Sequence, residues 1–173
     1  MDMAKPLNIP GIKNVYQVTD WLYRGGQPTH EGFEQLQKLG IKTVISFRWG
    51  RRINAAEEKA VTSLGMVYES LPLNYWNLPD QATIDRFLSL LDNDVNQPVY
   101  VHCLHGADRT GVLLAIFRIA RMNWSVDHAY HEMKYCGFHR FRLRHFKWVL
   151  FNFARRSVKP PEGNNPGRMS VNP

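Results

Sequence analysis

The run His102-Cys103-Leu104-His105-Gly106-Ala107-Asp108-Arg109-Thr110-Gly111 places a thiol and a guanidinium at the two ends of one short loop. Ahead of it, Pro98-Val99-Tyr100-Val101 reads as a buried strand. Behind it, the apolar stretch from Val112 to Ala120 is too long for a strand and reads as a buried helix. A strand, a glycine-containing loop and a helix start form a cradle for an anion, because the loop N–H groups and the positive end of the helix dipole aim at one point. Cys103 belongs at the floor of this cradle, where the helix start and Arg109 favour the thiolate. A thiolate attacks phosphorus and gives a phospho-cysteine. Arg109 offers a planar fork for two phosphoryl oxygens as charge spreads in the transition state. Gly106 lets the backbone turn close to the anion, and Leu104, His105, Ala107 and Asp108 supply further loop amides. Thr110 carries a hydroxyl able to donate to the departing sulfur, and His102 is suited to orienting the loop and adding positive potential.

The rest of the chain must hold that loop. Val15 to Val18 and Trp21 to Arg24 read as short strands, Thr29 as the cap of a helix carrying Phe33, Leu36 and Leu39, and Ile41 to Phe47 as a central strand. Residues 54–64 suggest a helix and 66–73 a strand. Ile84, Phe87, Leu88 and Leu91 recur at helical spacing, Ser125 caps a helix running to about Tyr135, and Phe146, Val149, Leu150 and Phe153 share a face of the last helix. Strands alternating with helices argue for an α/β fold: a mostly parallel twisted sheet flanked by helices on both sides. Residues 1–13 read as an extension, 14–156 as one domain, and 157–173, rich in Pro, Gly and Asn, as a disordered tail.

Composition narrows the class. A chain of 173 residues, 44% hydrophobic and 21% charged, suits one globular domain. No apolar run reaches membrane-spanning length, and Met1-Asp2-Met3-Ala4-Lys5-Pro6 lacks an apolar signal region. Two cysteines are too few for a disulfide framework, so the expectation is a soluble, cytoplasmic protein, or a periplasmic one if a leader has been trimmed. The net charge of +7 suits anionic partners. Arg48, Arg51 and Arg52 form one basic cluster, and Arg140, Arg144 and Lys147 a second; each frames an acidic substrate or is a solvated surface.

The pattern His-Cys-x-x-Gly-x-x-Arg-Thr-Gly resembles the active-site loop of the cysteine-based tyrosine and dual-specificity phosphatases. Leu22-Tyr23-Arg24-Gly25-Gly26-Gln27-Pro28 and Gly40-Ile41-Lys42-Thr43-Val44-Ile45-Ser46-Phe47-Arg48 resemble the bacterial atypical dual-specificity group and bear on fold more than on chemistry. Arg24 either touches the phosphate loop or, as we expect, bonds near the hairpin. The resemblance implies a phosphotyrosine-phosphatase-like fold and metal-independent hydrolysis of phosphomonoesters, with no cofactor. It also implies a general acid on the loop Asn74-Tyr75-Trp76-Asn77-Leu78-Pro79-Asp80, where Asp80 is the candidate and a helix cap its competing role. Asp108, inside the cradle, is the rival acid. Trp76 either packs over a substrate ring or anchors its loop. Leu104 and Ala107 stand where polyanion-specific relatives often carry lysines, which favours phosphotyrosine, with phosphoserine or phosphothreonine, on a protein. A phosphoinositide- or RNA-directed phosphatase is an alternative on the same loop, although no RNA-recognition motif is visible. A third reading is a zinc module, from His128, His131, Cys136 and His139.

Overall fold

The computed structural model describes residues 2–76, 78–139 and 141–157. Asn77, Arg140 and the tail from residue 158 onward lie outside the described residues. Among the described residues the strands are β1 (Lys5–Ile9), β2 (Ile12–Gln17), β3 (Leu22–Gly25), β4 (Thr43–Ser46), β5 (Val67–Ser70) and β6 (Val99–His102). The helices are α1 (His30–Lys38), α2 (Arg51–Ser63), α3 (Gln81–Asp92), α4 (Asp108–Met122), α5 (Val126–Tyr135) and α6 (Arg144–Ser157). One sheet runs β1-β2-β3-β6-β4-β5. β1 and β3 pair antiparallel to β2, while β3, β6, β4 and β5 run parallel. The expected mostly parallel α/β sheet is present, and β1 adds an edge strand within the segment read as an extension.

Strand alternation sends successive side chains to opposite faces. Val44 and Tyr100 pack on one face with Phe33 and Leu36 of α1 and Val61 of α2. Ile45, Val99 and Val101 pack on the other with α3, α4, α5 and α6 through residues such as Phe87, Leu113, Met133 and Phe146. The helical face Ile84, Phe87, Leu88 and Leu91 is buried as its spacing predicts. Thr29 and Ser125 cap α1 and α5, accepting from the N–H groups of Gly32 and His128. α2 begins earlier than its apolar pattern suggests, because Arg51 and Arg52 enter the helix without burying anything.

β6 lies between β3 and β4 with every residue buried. Because these strands are parallel, the segments that follow β3, β4, β5 and β6 all emerge at one edge of the sheet. In open parallel sheets, ligands bind outside such carboxyl ends. No helix among the described residues is long and apolar enough to cross a membrane.

Candidate active site

Cys103 follows β6 directly and is 1% exposed, and α4 opens five residues later. The residue before α4, Ala107, has no side-chain cap, so the first N–H groups of this long helix face the loop unshielded. Gly106 adopts φ +68°, and a Cβ there would fall 2.2 Å from the carbonyl carbon of Gly25. Only glycine permits that approach.

The loop is held from behind by groups on β2, β3 and the segment after β3. Arg24, fully buried, donates from Nη2 to the carbonyl of Gly106 at 2.7 Å. The amide of Gln27 donates to the carbonyl of Leu104, and Asn14 Nδ2 donates to those of His105 and Cys136. Asn14 itself sits at φ 57°, a left-handed conformation that Asn tolerates better than most residues. Tying these carbonyls outward suits a loop whose amides serve the opposite side. The expectation that Arg24 bonds near the hairpin is corrected: its guanidinium reaches the loop, because β3 is the immediate neighbour of β6.

Under the nucleophile lies a buried pair. His102 Nδ1 is 3.1 Å from the carbonyl of Cys103, and Nε2 is 2.5 Å from Glu57 Oε1. Both partners accept, so each ring nitrogen donates. Burial alone would push the Glu57 carboxyl up, but the hydrogen bond and charge of His102, with Gln27 and Ser46 assisting, hold it below its ordinary value. Glu57 escaped the sequence reading. Its one signal is a position four residues before Val61 on the buried face of α2.

Arg109 is 4% exposed, and its Nη1 donates to the carbonyls of Phe47 and Leu73 at 3.1 and 2.8 Å. Nη2 lies 3.3 Å from the Tyr75 hydroxyl, and the guanidinium carbon sits 4.5 Å from the centre of the Tyr75 ring. Among the described residues Nε, although buried, has no protein acceptor, and neither does Thr110 Oγ1 have a partner. Anchored by Nη1, the guanidinium turns its Nε–Nη2 edge, the one that grips two oxygens at once, to other use. Buried unsatisfied donors call for a partner, and an anion in the cradle would supply it.

Two clefts open at the loop. One, of about 360 Å³, is lined by Arg48, Trp49, Tyr75, Trp76, Leu104 and Arg109. The other, of about 510 Å³, shares Tyr75, Trp76 and Leu104 and extends to His105, Asp108, His139, Arg142 and His145. Trp76 is 89% exposed, so it does not anchor its loop by burial, and its face is free for a ligand. Asp80 caps α3, accepting from the Thr83 N–H at 2.8 Å, and lines neither cleft. Hydrogen bonds from Thr83 hold its carboxyl below the ordinary value. Asp108 is buried and bonded to His139.

Of the basic clusters, Arg48 lines a cleft while Arg51, Arg52, Arg144 and Lys147 are exposed. The zinc reading is not carried by the geometry. His128 stacks on Trp124 at 3.9 Å, Cys136 is buried in the core, and His139 serves Asp108. Among the described residues no three His, Cys, Asp or Glu side chains are grouped to hold a metal.

Comparison with known proteins agrees with this arrangement. A model of the family described as "DSP-PTPase phosphatase fused to NAD+ Kinase" matches residues 12–149. The dual specificity protein phosphatase TpbA of Pseudomonas aeruginosa is 30% identical over 125 residues, covering 72% of this chain and 55% of TpbA, so the chain spans about half the length of that relative. The crystal structure of TpbA superimposes with a TM-score of 0.73 at 24% identity, over 91% of this chain and 97% of that one. TpbA has also been solved in complex with pTyr. The catalytic core of the Saccharomyces cerevisiae PP-IP phosphatase Siw14 gives a TM-score of 0.69 at 20% identity, over 87% and 94% of the two chains. At these identities the structural likenesses establish the fold. The loop, its supports and the family match together make this chain a member of the DSP-PTPase phosphatase family.

Proposed function

We propose that this protein hydrolyses phosphomonoesters through a phospho-cysteine, with phosphotyrosine on proteins as the preferred substrate and phosphoserine or phosphothreonine as further ones. The observation that carries the reading is the cradle: a buried Cys103 at the end of β6, an uncapped α4, and an Arg109 fixed through Nη1 while its buried Nε lacks a protein acceptor. In the first step Cys103 Sγ attacks phosphorus and the ester oxygen leaves. In the second, water attacks phosphorus and the thiolate departs, with the Thr110 hydroxyl beside it. Arg109 and the amides of residues 104–109 stabilise the phosphoryl oxygens throughout.

Exposed aromatic faces support an aryl ester. Trp49 and Trp76 flank Leu104 and Arg109 in one cleft, where a phenyl ring finds stacking partners. The pTyr complex of TpbA supports the same choice. Uncharged Leu104 and Ala107 within the loop argue against a highly anionic inositol phosphate. Cys103 and Cys136 are both free, which suits a reducing compartment such as the cytoplasm.

Assays of phosphotyrosine and phosphoserine peptides, a phosphoinositide and a 5′-phosphorylated RNA, each with wild type and Cys103→Ser, test the proposal. The expected ranking puts the phosphotyrosine peptide first, and only the wild type turns it over. Equal or faster hydrolysis of the lipid or the RNA overturns the substrate assignment.

A further inference from the structure

Expelling an aryl or alkyl oxygen from phosphorus needs a proton, and a positioned general acid contributes about 10²–10⁴-fold. Asp80 accepts from the Thr83 N–H at the head of α3 and lines neither cleft. Asp108 is at the loop, yet both of its oxygens are occupied. Oδ1 accepts from the backbone N–H of His139 at 2.9 Å, and Oδ2 lies 2.9 Å from His139 Nδ1.

We propose that His139, oriented by Asp108, is the acid–base residue of the reaction. The inference rests on the phosphatase reading above. A carboxylate can only accept, so Nδ1 carries the hydrogen that faces Asp108, and the exchangeable position is Nε2. Backbone and ring bonds from one residue to one buried carboxylate fix the imidazole plane, the same logic by which a third group orients a catalytic base. Asp108 is 4% exposed on its side chain, whereas the His139 side chain is 52% exposed and lines the cleft that contains Leu104 and His105 of the loop. An interior anchor thus carries an accessible ring.

The other imidazoles of that cleft are placed differently. His145 spends Nε2 on the carbonyl of Tyr75, and among the described residues no carboxylate pairs with His145 or His105. Asp108 therefore acts through His139 and not as a donor itself.

The protons balance. As Cys103 Sγ bonds to phosphorus and the P–O(ester) bond breaks, Nε2–H of the imidazolium passes its proton to the leaving oxygen. The neutral ring then takes a proton from the attacking water as the P–O bond forms and the P–S bond breaks. Thiolate and imidazolium are both restored, one water is consumed, and alcohol and phosphate are released.

The test is the dependence of kcat/KM on the leaving group. Wild type, His139→Gln, Asp108→Asn and Asp80→Asn are compared on 4-nitrophenyl phosphate, phenyl phosphate and phosphotyrosine. For His139→Gln the loss on phenyl phosphate and phosphotyrosine is expected to be about 10²-fold or more, and at least several-fold smaller on the activated nitrophenyl ester. Asp108→Asn is expected to show the same trend, so the proposal stays testable if one variant folds poorly. A loss of equal size on all three esters means that the pair only shapes the loop, and overturns the proposal. So does selective loss in Asp80→Asn with wild-type behaviour in His139→Gln. A wild type inactive on every ester, or an active Cys103→Ser, sinks the phosphatase reading instead.

Discussion

Two arginines nine residues apart on α4 are both almost inaccessible, yet they are built for different ends. Arg118 donates Nε and Nη2 to the two oxygens of Glu132 at 3.0 and 2.7 Å, places Nη1 by Met122 Sδ, and stacks its guanidinium 4.2 Å from the Trp124 ring centre. Glu132 also accepts the amide of Ala4. Every nitrogen of that guanidinium is matched, and the pair ties α4, α5 and the N-terminal segment together. Arg109 is matched only through Nη1 and Nη2, and Nε is left without a protein acceptor. A buried charge with each of its nitrogens engaged stabilises one arrangement of the chain. A buried charge whose Nε is left without a protein acceptor keeps that donor for something the chain does not contain.

The contrast breaks most sharply at the nucleophile. Cys103→Ser should lower turnover of 4-nitrophenyl phosphate by about four orders of magnitude or more, since a hydroxyl supplies almost no anionic nucleophile at neutral pH. Its thermal midpoint should stay within a few degrees of wild type. At the other end, Glu132→Ala strands the Arg118 charge in the core and should cost about 3–5 kcal/mol in urea unfolding. Turnover per folded molecule should persist there, and a variant as stable as wild type would show that the pair carries no structural weight.

Arg109→Lys exchanges the fork for a point charge. A fall of about 10²–10³ in kcat/KM is expected, the size seen on removing one transition-state donor, with weaker inhibition by inorganic phosphate. A pH titration sharpens the account of the loop's base. Glu57 has a folded value below its unfolded one, about 4.3, so its contribution to stability is present above that pH and is lost as pH falls through the lower folded value. Glu57→Gln should remove that part of the acid sensitivity in denaturation curves below about pH 4.3. An unchanged acid profile would mean that the His102 pair does not govern it. The smallest effect is at a helix cap: Thr29→Ala should cost about 1 kcal/mol, through the lost cap of α1.

How much of this was legible depended on whether a residue's role is local. The caps at Thr29 and Ser125, the buried face of α3 and the strand-loop-helix around Cys103 are set by neighbours within a few positions, and all were readable. β1 was missed because Lys-Pro-Leu-Asn-Ile is short and exposed at an edge, where alternation leaves no mark. Arg24 and Glu57 reach the loop only because β3 neighbours β6 and α2 covers that sheet face, 82 and 45 residues apart in sequence from their partners. His128, His131, Cys136 and His139 have ligand-like spacing, but His128 stacks on Trp124, Cys136 is buried in the core and His139 pairs with Asp108. The Asp108–His139 contact spans 31 residues and carries no local signature.

Rapid quench of wild type during turnover of an aryl phosphate, followed by peptide mass mapping, addresses the central claim most directly. A single phosphoryl group on Cys103, formed and lost at rates compatible with kcat and absent from Cys103→Ser, is the expected result. Full turnover with no phosphoryl group on Cys103, or with one on a different side chain, contradicts the account.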